Sequence, residues 1–334
     1  MKSNLFKNCA LLFVSIMIAL LVAEFAFPLF SQENIHNRGM HEEFKCRIRD
    51  SLLGSYFKPN CKSRWVRKQR DRVLFDFMFS TDHLGRRIVP MTSFPRRKIS
   101  LFFGGSFVLG AGVNDNETLP YFFSKFLSHY KSYNYGGSGF GPQHMLASLE
   151  EKHISDEIQY SGEDVSLFYL FLPFHISRAV GTIDITNRFG RHFPYYDYGD
   201  DKTLKRKGSF ESGRPFKARL YSLIWKSRIL KFFFSHVLTR DSEKDLLLTY
   251  KIIEQAYKKF QGEFKSKNFY VILYPTYNVK ITKKIITLLK SSKIKYLDYS
   301  NELALLEEDF KVGDGHPNAK AYAHLAKKMM INFQ

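Results

Sequence analysis

A serine, an aspartate and a histidine carry the chemistry this chain offers. Ser106 stands in the run LFFGGSFVLGAG, where an apolar strand, Ile99 to Phe103, breaks at two glycines before a loop and a helix. A serine at such a break sits at the carboxyl edge of a sheet, and open α/β sheets bind ligands outside that edge. Its hydroxyl is a poor nucleophile until a base takes its proton. Near the other end, DGHPNAKAYAHLA sets Asp314 and His316 just before a helical pattern. A neutral imidazole removes such a proton near neutral pH, and a carboxylate fixes its tautomer. In an extended segment residues i and i+2 face one side, so both side chains can turn toward one cleft. This chemistry needs neither a metal nor an organic cofactor, and no Cys/His pattern has metal-ligand spacing.

The elements that must position these residues alternate between buried strands and helices. Strand patterns cover 99–103, 132–135, 165–172 (VSLFYLFL), 269–274 and 294–297, and helical spacing covers 119–130, 143–154, 246–264, 279–289 and 318–331. Strands too apolar to have a wet face imply a parallel sheet covered on both sides. The expected fold is therefore a three-layer α/β/α sandwich. Residues 177–240 interrupt the alternation with mixed aromatic, glycine and basic residues. They read either as a lid or substrate platform, or as a structural excursion over the sheet.

These blocks, in this order, resemble the SGNH hydrolase superfamily, the GDSL-type esterases and lipases, over residues 99 to 331. The phrase DSLLGSYFKPN at 50–60 is similar to a segment preceding the domain in membrane-anchored members. The resemblance implies a flavodoxin-like sheet, Ser106 as nucleophile, His316 as base and Asp314 as its orienting acid. It also implies an oxyanion hole from the backbone N–H groups of Ser106 and Gly139, the latter in NYGGSGFG. Three blocks depart from the family. Gly105 replaces the aspartate of the first. No asparagine follows the strand ending LFLPFHISR, where His175 is either a substitute donor or a structural cap and Arg178 is a nearby cation. The last block spaces its aspartate and histidine by two rather than three.

The amino terminus reads as a membrane anchor. Lys2 and Lys7 precede an apolar run from Ala10 to Phe30, broken only by Ser15 and Glu24. About 20 such residues suffice for a spanning helix, and Ala23-Glu24-Phe25-Ala26 is a poor cleavage site. The expected organisation is an anchor at 1–31, an irregular extension at 32–98 with short strand-like pieces such as 73–79, and a hydrolase-like domain at 99–334 carrying the 177–240 insertion. Because large domains translocate regardless of flanking charge, that domain is expected outside the cytoplasm. Cys46 and Cys61 are then a plausible pair, with two free thiols as the alternative.

The formal net charge of +19 reads either as a lysine-rich soluble surface or as affinity for anionic headgroups or an acidic polymer. No DNA-binding spacing accompanies it, which argues against a nucleic-acid partner. The expected partners are the lipid bilayer and an acylated carbohydrate or lipid. Three functions follow: an ester hydrolase on acylated glycans or lipids, an O-acyltransferase acting on an extracellular polysaccharide, or a non-catalytic protein on an altered hydrolase scaffold.

Overall fold

The structure, a computed structural model, describes residues 40–90, 98–160, 164–238 and 242–333, with scattered positions between 8 and 26. The expected anchor falls largely outside the described residues, among which no helix is long and apolar enough to cross a membrane.

The extension is not irregular. Strands β1 (Met40–Glu43), β4 (Lys62–Gln69) and β5 (Arg72–Ser80) form an antiparallel sheet in the order β1-β4-β5, and β2 (Arg47–Asp50) pairs with β3 (Gly54–Phe57). In β5 the side chains of Phe75, Phe77 and Phe79 are buried while Asp76 and Met78 face out, a period-two pattern that gives one apolar face. Its partner β4, KSRWVRKQ, buries only Trp65 and Val66, so the charges on its outer face hide the strand period in the sequence. Phe44 stacks on Trp65 with ring centroids 4.0 Å apart, and Cys46 is disulfide-bonded to Cys61. These residues join the main hydrophobic core, so the extension and residues 99–333 share one interior.

Five parallel strands form the central sheet: β6 (Lys98–Gly104), β7 (Tyr130–Gly136), β8 (Val165–Phe171), β11 (Phe269–Leu273) and β12 (Lys295–Asp298), in the order β12-β11-β8-β6-β7. β8 is buried along its whole length, as its unbroken apolar run requires. Its residues divide by parity: Leu167, Tyr169 and Phe171 enter the core on one face, Phe168 and Leu170 the core on the other. Helices α2 (Leu119–Phe126) and α9 (Ala319–Met330) cover the second face. Helices α3 (Pro142–Glu151), α7 (Glu243–Phe264) and α8 (Val279–Ser291) cover the first. The chain leaves β6 toward β7 on one side and reaches β8 on the other, so the carboxyl ends of β6 and β8 form the switch point where such sheets bind ligands. α1 (Ser106–Leu109) starts there.

The 177–240 segment divides into three parts. Its first residues belong to α4 (His175–Val180), which buries Ile176 and Ala179 in the main core. Strands β9 (Pro194–Tyr198) and β10 (Leu204–Ser209) form a hairpin that buries Phe193, Tyr196 and Phe210 in the same core, so this part completes the interior. Helices α5 (Pro215–Lys226) and α6 (Arg228–Leu238) lie outside it, with Tyr221 and Ile224 packed in a small separate cluster with Ile183.

One fully buried cation ties the extension to the switch point. Arg87 donates to the carbonyls of Leu109 (2.8 Å), Gly110 (2.6 Å) and Val113 (2.6 Å), and its Nε to Asp115 Oδ1 (2.9 Å). Removing it takes a charged donor from three buried carbonyls and a carboxylate, and leaves Gly110 O and Asp115 Oδ1 only the longer bonds from the Val113 and Ser80 N–H groups (3.3 Å each). Arg87→Met is therefore expected to cost about 3–5 kcal/mol of stability, read from the midpoint of a urea melt. An unchanged midpoint would show that these carbonyls are satisfied without it.

Candidate active site

Ser106, His316 and Asp314 meet in one hydrogen-bonded chain. Ser106 Oγ lies 2.8 Å from His316 Nε2, and His316 Nδ1 lies 2.7 Å from Asp314 Oδ1. A carboxylate only accepts, so the imidazole proton sits on Nδ1 and Nε2 is left to accept from the serine hydroxyl. The segment holding Asp314 and His316 is a tight turn shaped at Gly315 rather than an extended stretch. The Gly315 N–H donates to Val312 O (2.9 Å) and the Val312 N–H to His316 O (2.8 Å). Gly315 has φ of +87°, which a residue with a Cβ adopts only under strain. That turn lets a spacing of two bring the carboxylate under the ring, and the His316 N–H donates to Asp314 Oδ1 as well (3.3 Å).

Two contacts hold the turn from the extension. The Gly313 N–H donates to Leu74 O of β5 (2.9 Å), and Arg67 Nη1 of β4 donates to Asp314 Oδ2 (3.1 Å). Burial alone would raise the Asp314 carboxyl. Hydrogen bonds from His316, its charge and that of Arg67 overcome this and hold the group below its usual 3.8. Arg67 is not legible as a site residue because β4 is hidden by outward charge, and Leu74 acts through its backbone carbonyl, which its side chain does not announce.

The chain opens into a cavity of about 510 Å³ whose wall includes Ser106, Gly139, His316, Arg178, Phe189 and Trp65. Among the described residues neither the Ser106 nor the Gly139 backbone N–H has a hydrogen-bond acceptor. Both are thus free to face a ligand oxygen.

His175 is not on that wall. It is fully buried, its Nδ1 lies 2.8 Å from Tyr169 Oη, and its Nε2 points at the back of Gly105. Burial, then the charge of Arg178, push its pKa well below 6.5, so it stays neutral. The expectation of a donor in the cavity is corrected: the ring turns inward because α4 begins at His175 and buries that face.

Arg178, one turn along α4, reaches the cavity instead. Its Nη1 donates to Phe140 O (2.9 Å) and its guanidinium lies 4.4 Å from the Phe174 ring centroid. No carboxylate lies within ion-pair distance among the described residues. Burial lowers its pKa to about 10, which leaves it charged at neutral pH. A Cβ added at Gly105 would stand 2.5 Å from Arg178 Nη1. A glycine at 105 thus leaves room for the Arg178 guanidinium.

No family model matches the chain, and no curated protein matches it. Among solved structures it is similar to a member of the lipolytic protein G-D-S-L family from Veillonella parvula, with 13% identity, 71% of this chain and 98% of that one covered, and a TM-score of 0.42. It is also similar to a psychrotrophic esterase from Pseudoalteromonas, with 12% identity, coverage of 71% and 97%, and a TM-score of 0.39. An acetyl xylan esterase from the rumen bacterium Butyrivibrio proteoclasticus gives 13% identity, coverage of 75% and 66%, and a TM-score of 0.39. At those values the likeness transfers no residue role and no activity to this chain.

Proposed function

We propose that this protein is a membrane-tethered serine ester hydrolase working through an acyl-enzyme. The observation that carries the reading is the unbroken chain from Asp314 through His316 to Ser106 at the wall of an open cavity. In the acylation step His316 Nε2 takes the serine proton as Oγ attacks the ester carbonyl. The imidazolium formed is stabilised by Asp314, and its proton goes to the leaving alkoxide. Water, activated by the same nitrogen, then releases the acid. Negative charge on the carbonyl oxygen would be met by the N–H groups of Ser106 and Gly139, with Arg178 supplying positive charge beside them.

A wall that carries both aromatic rings and arginines suits an acylated sugar better than a bare acyl chain. Transfer to a sugar hydroxyl uses the same acyl-enzyme and differs only in the acceptor. The disulfide supports a location outside the cytoplasm, and the apolar run at Ala10–Phe30 supports tethering. Acetate release from acetylated xylan, with and without a free glycan acceptor, tests the reading. Release in both cases is expected. Acetyl transfer without free acetate would make the protein a transferase, and no turnover of any ester would favour the scaffold reading.

Arg178→Ala is expected to lower kcat by about 10²-fold with KM nearly unchanged, because charge on the carbonyl oxygen develops only in the transition state. Gly105→Ala should act the same way, since its methyl takes the space of Nη1. A rise in KM alone would make Arg178 a ground-state binder.

A further inference from the structure

Helices α5 and α6 carry a surface that the hydrolase reading leaves unused. α5 is apolar along two stripes. Ala218, Tyr221 and Ile224 are buried, and the last two pack in a cluster with Ile183. Phe216, Leu220 and Leu223, spaced four and three residues apart, form a second stripe that faces solvent, with Phe216 87% exposed. On α6, Leu230 and Phe233 continue the exposed apolar surface. A soluble helix hides one stripe and wets the other, so two apolar stripes on α5 mean that its outer face has a non-aqueous partner.

The charges identify that partner. From Pro215 to Leu238 there are five basic residues, Lys217, Arg219, Lys226, Arg228 and Lys231, and no acidic one. Lys217 lies over the Tyr221 ring and Lys231 over the Trp225 ring, with their ammonium groups 5.4 and 4.4 Å from the ring centroids. Cations on long stems beside aromatic and aliphatic side chains are the composition of a helix lying in the interface of an anionic bilayer. Glu24, from the amino-terminal apolar run, meets the same place. Glu24 accepts from Ser227 Oγ (2.8 Å) and from the backbone N–H of Ile229 (3.3 Å) at the start of α6, while Val22 and Phe25 beside it are exposed.

We propose that α5 and α6 form a second membrane contact, lying along an anionic lipid surface next to the amino-terminal anchor. This inference rests on the tethered reading above. The contact also reaches the active site, because Asn187 Nδ2 donates to Tyr221 O of α5 (3.3 Å) and to Ile183 O (2.8 Å). Arg188 and Phe189, the next two residues, line the cavity. The insertion thus docks the cavity wall at the headgroup level instead of leaving it to swing on a tether.

The test uses the full chain, with Cys9→Ser, labelled with an environment-sensitive fluorophore at Phe216→Cys or, as a control, at the exposed Lys259→Cys on α7. Each is reconstituted into vesicles of phosphatidylcholine with phosphatidylglycerol, or of phosphatidylcholine alone. A blue-shifted emission at position 216, about two-fold brighter or more, is expected on the anionic vesicles only, and none at 259. A protein that floats with the vesicles while 216 reports water like 259 would overturn this contact and leave the anchor standing. A shift of equal size on neutral vesicles would overturn the anionic assignment. Failure to float at all would overturn both tethering and contact.

Discussion

Ser106→Ala is expected to lower kcat for p-nitrophenyl acetate by about 10⁵- to 10⁶-fold, and His316→Ala by nearly as much. The two act as one unit, since a hydroxyl without a base and a base without a hydroxyl both lose the covalent route. The double variant should therefore be no worse than either single one. Ser106 is buried at the start of α1 and its hydroxyl has His316 as partner, so neither change opens a large cavity. Folding should be retained, as measured by circular dichroism. A Ser106→Ala protein with more than about a tenth of wild-type kcat would place the nucleophile elsewhere.

Asp314→Asn is expected to cost about 10⁴-fold in kcat while KM changes little. An asparagine amide can donate to Nδ1, which moves the ring proton to Nε2 and points an N–H at the serine instead of a lone pair. The same substitution leaves Arg67 without its carboxylate partner. It also carries a pH signature. The folded Asp314 carboxyl is held below its unfolded value, so its contribution to stability is complete above about pH 4 and fades as pH falls through the folded value. Urea melts should show wild type more stable than Asp314→Asn at pH 7, with the gap closing as the pH is taken below 4. A gap that widens on acidification would mean that the carboxyl is protonated in the folded protein.

Much of the site is legible in the sequence because its chemistry sits on the central sheet. VSLFYLFL is a buried strand with no alternative period, and the Gly-Gly-Ser break puts Ser106 at the sheet edge whatever surrounds it. The spacing of Asp314 and His316 is readable as a pair, but the turn at Gly315 that joins them is a backbone property that spacing does not specify. Arg67 is illegible for a different reason. β4 pairs its one buried Trp-Val step with outward lysines and arginines, so composition reads it as a basic loop, while its function is to brace the acid from behind. His175 misled because a histidine just past a strand is ambiguous until the helix it starts is known. That helix turns the imidazole inward and sends Arg178 outward to the cavity.

A fluorophosphonate tests most directly whether Ser106 is an activated nucleophile, because it reacts with a serine whose proton has a base to go to. Wild-type protein should take up one equivalent of the reagent, with the adduct mapped by peptide mass spectrometry to the segment containing Ser106, and both Ser106→Ala and His316→Ala should remain unlabelled. Equal labelling of wild type and Ser106→Ala, or a folded wild type that is never labelled, would contradict the account.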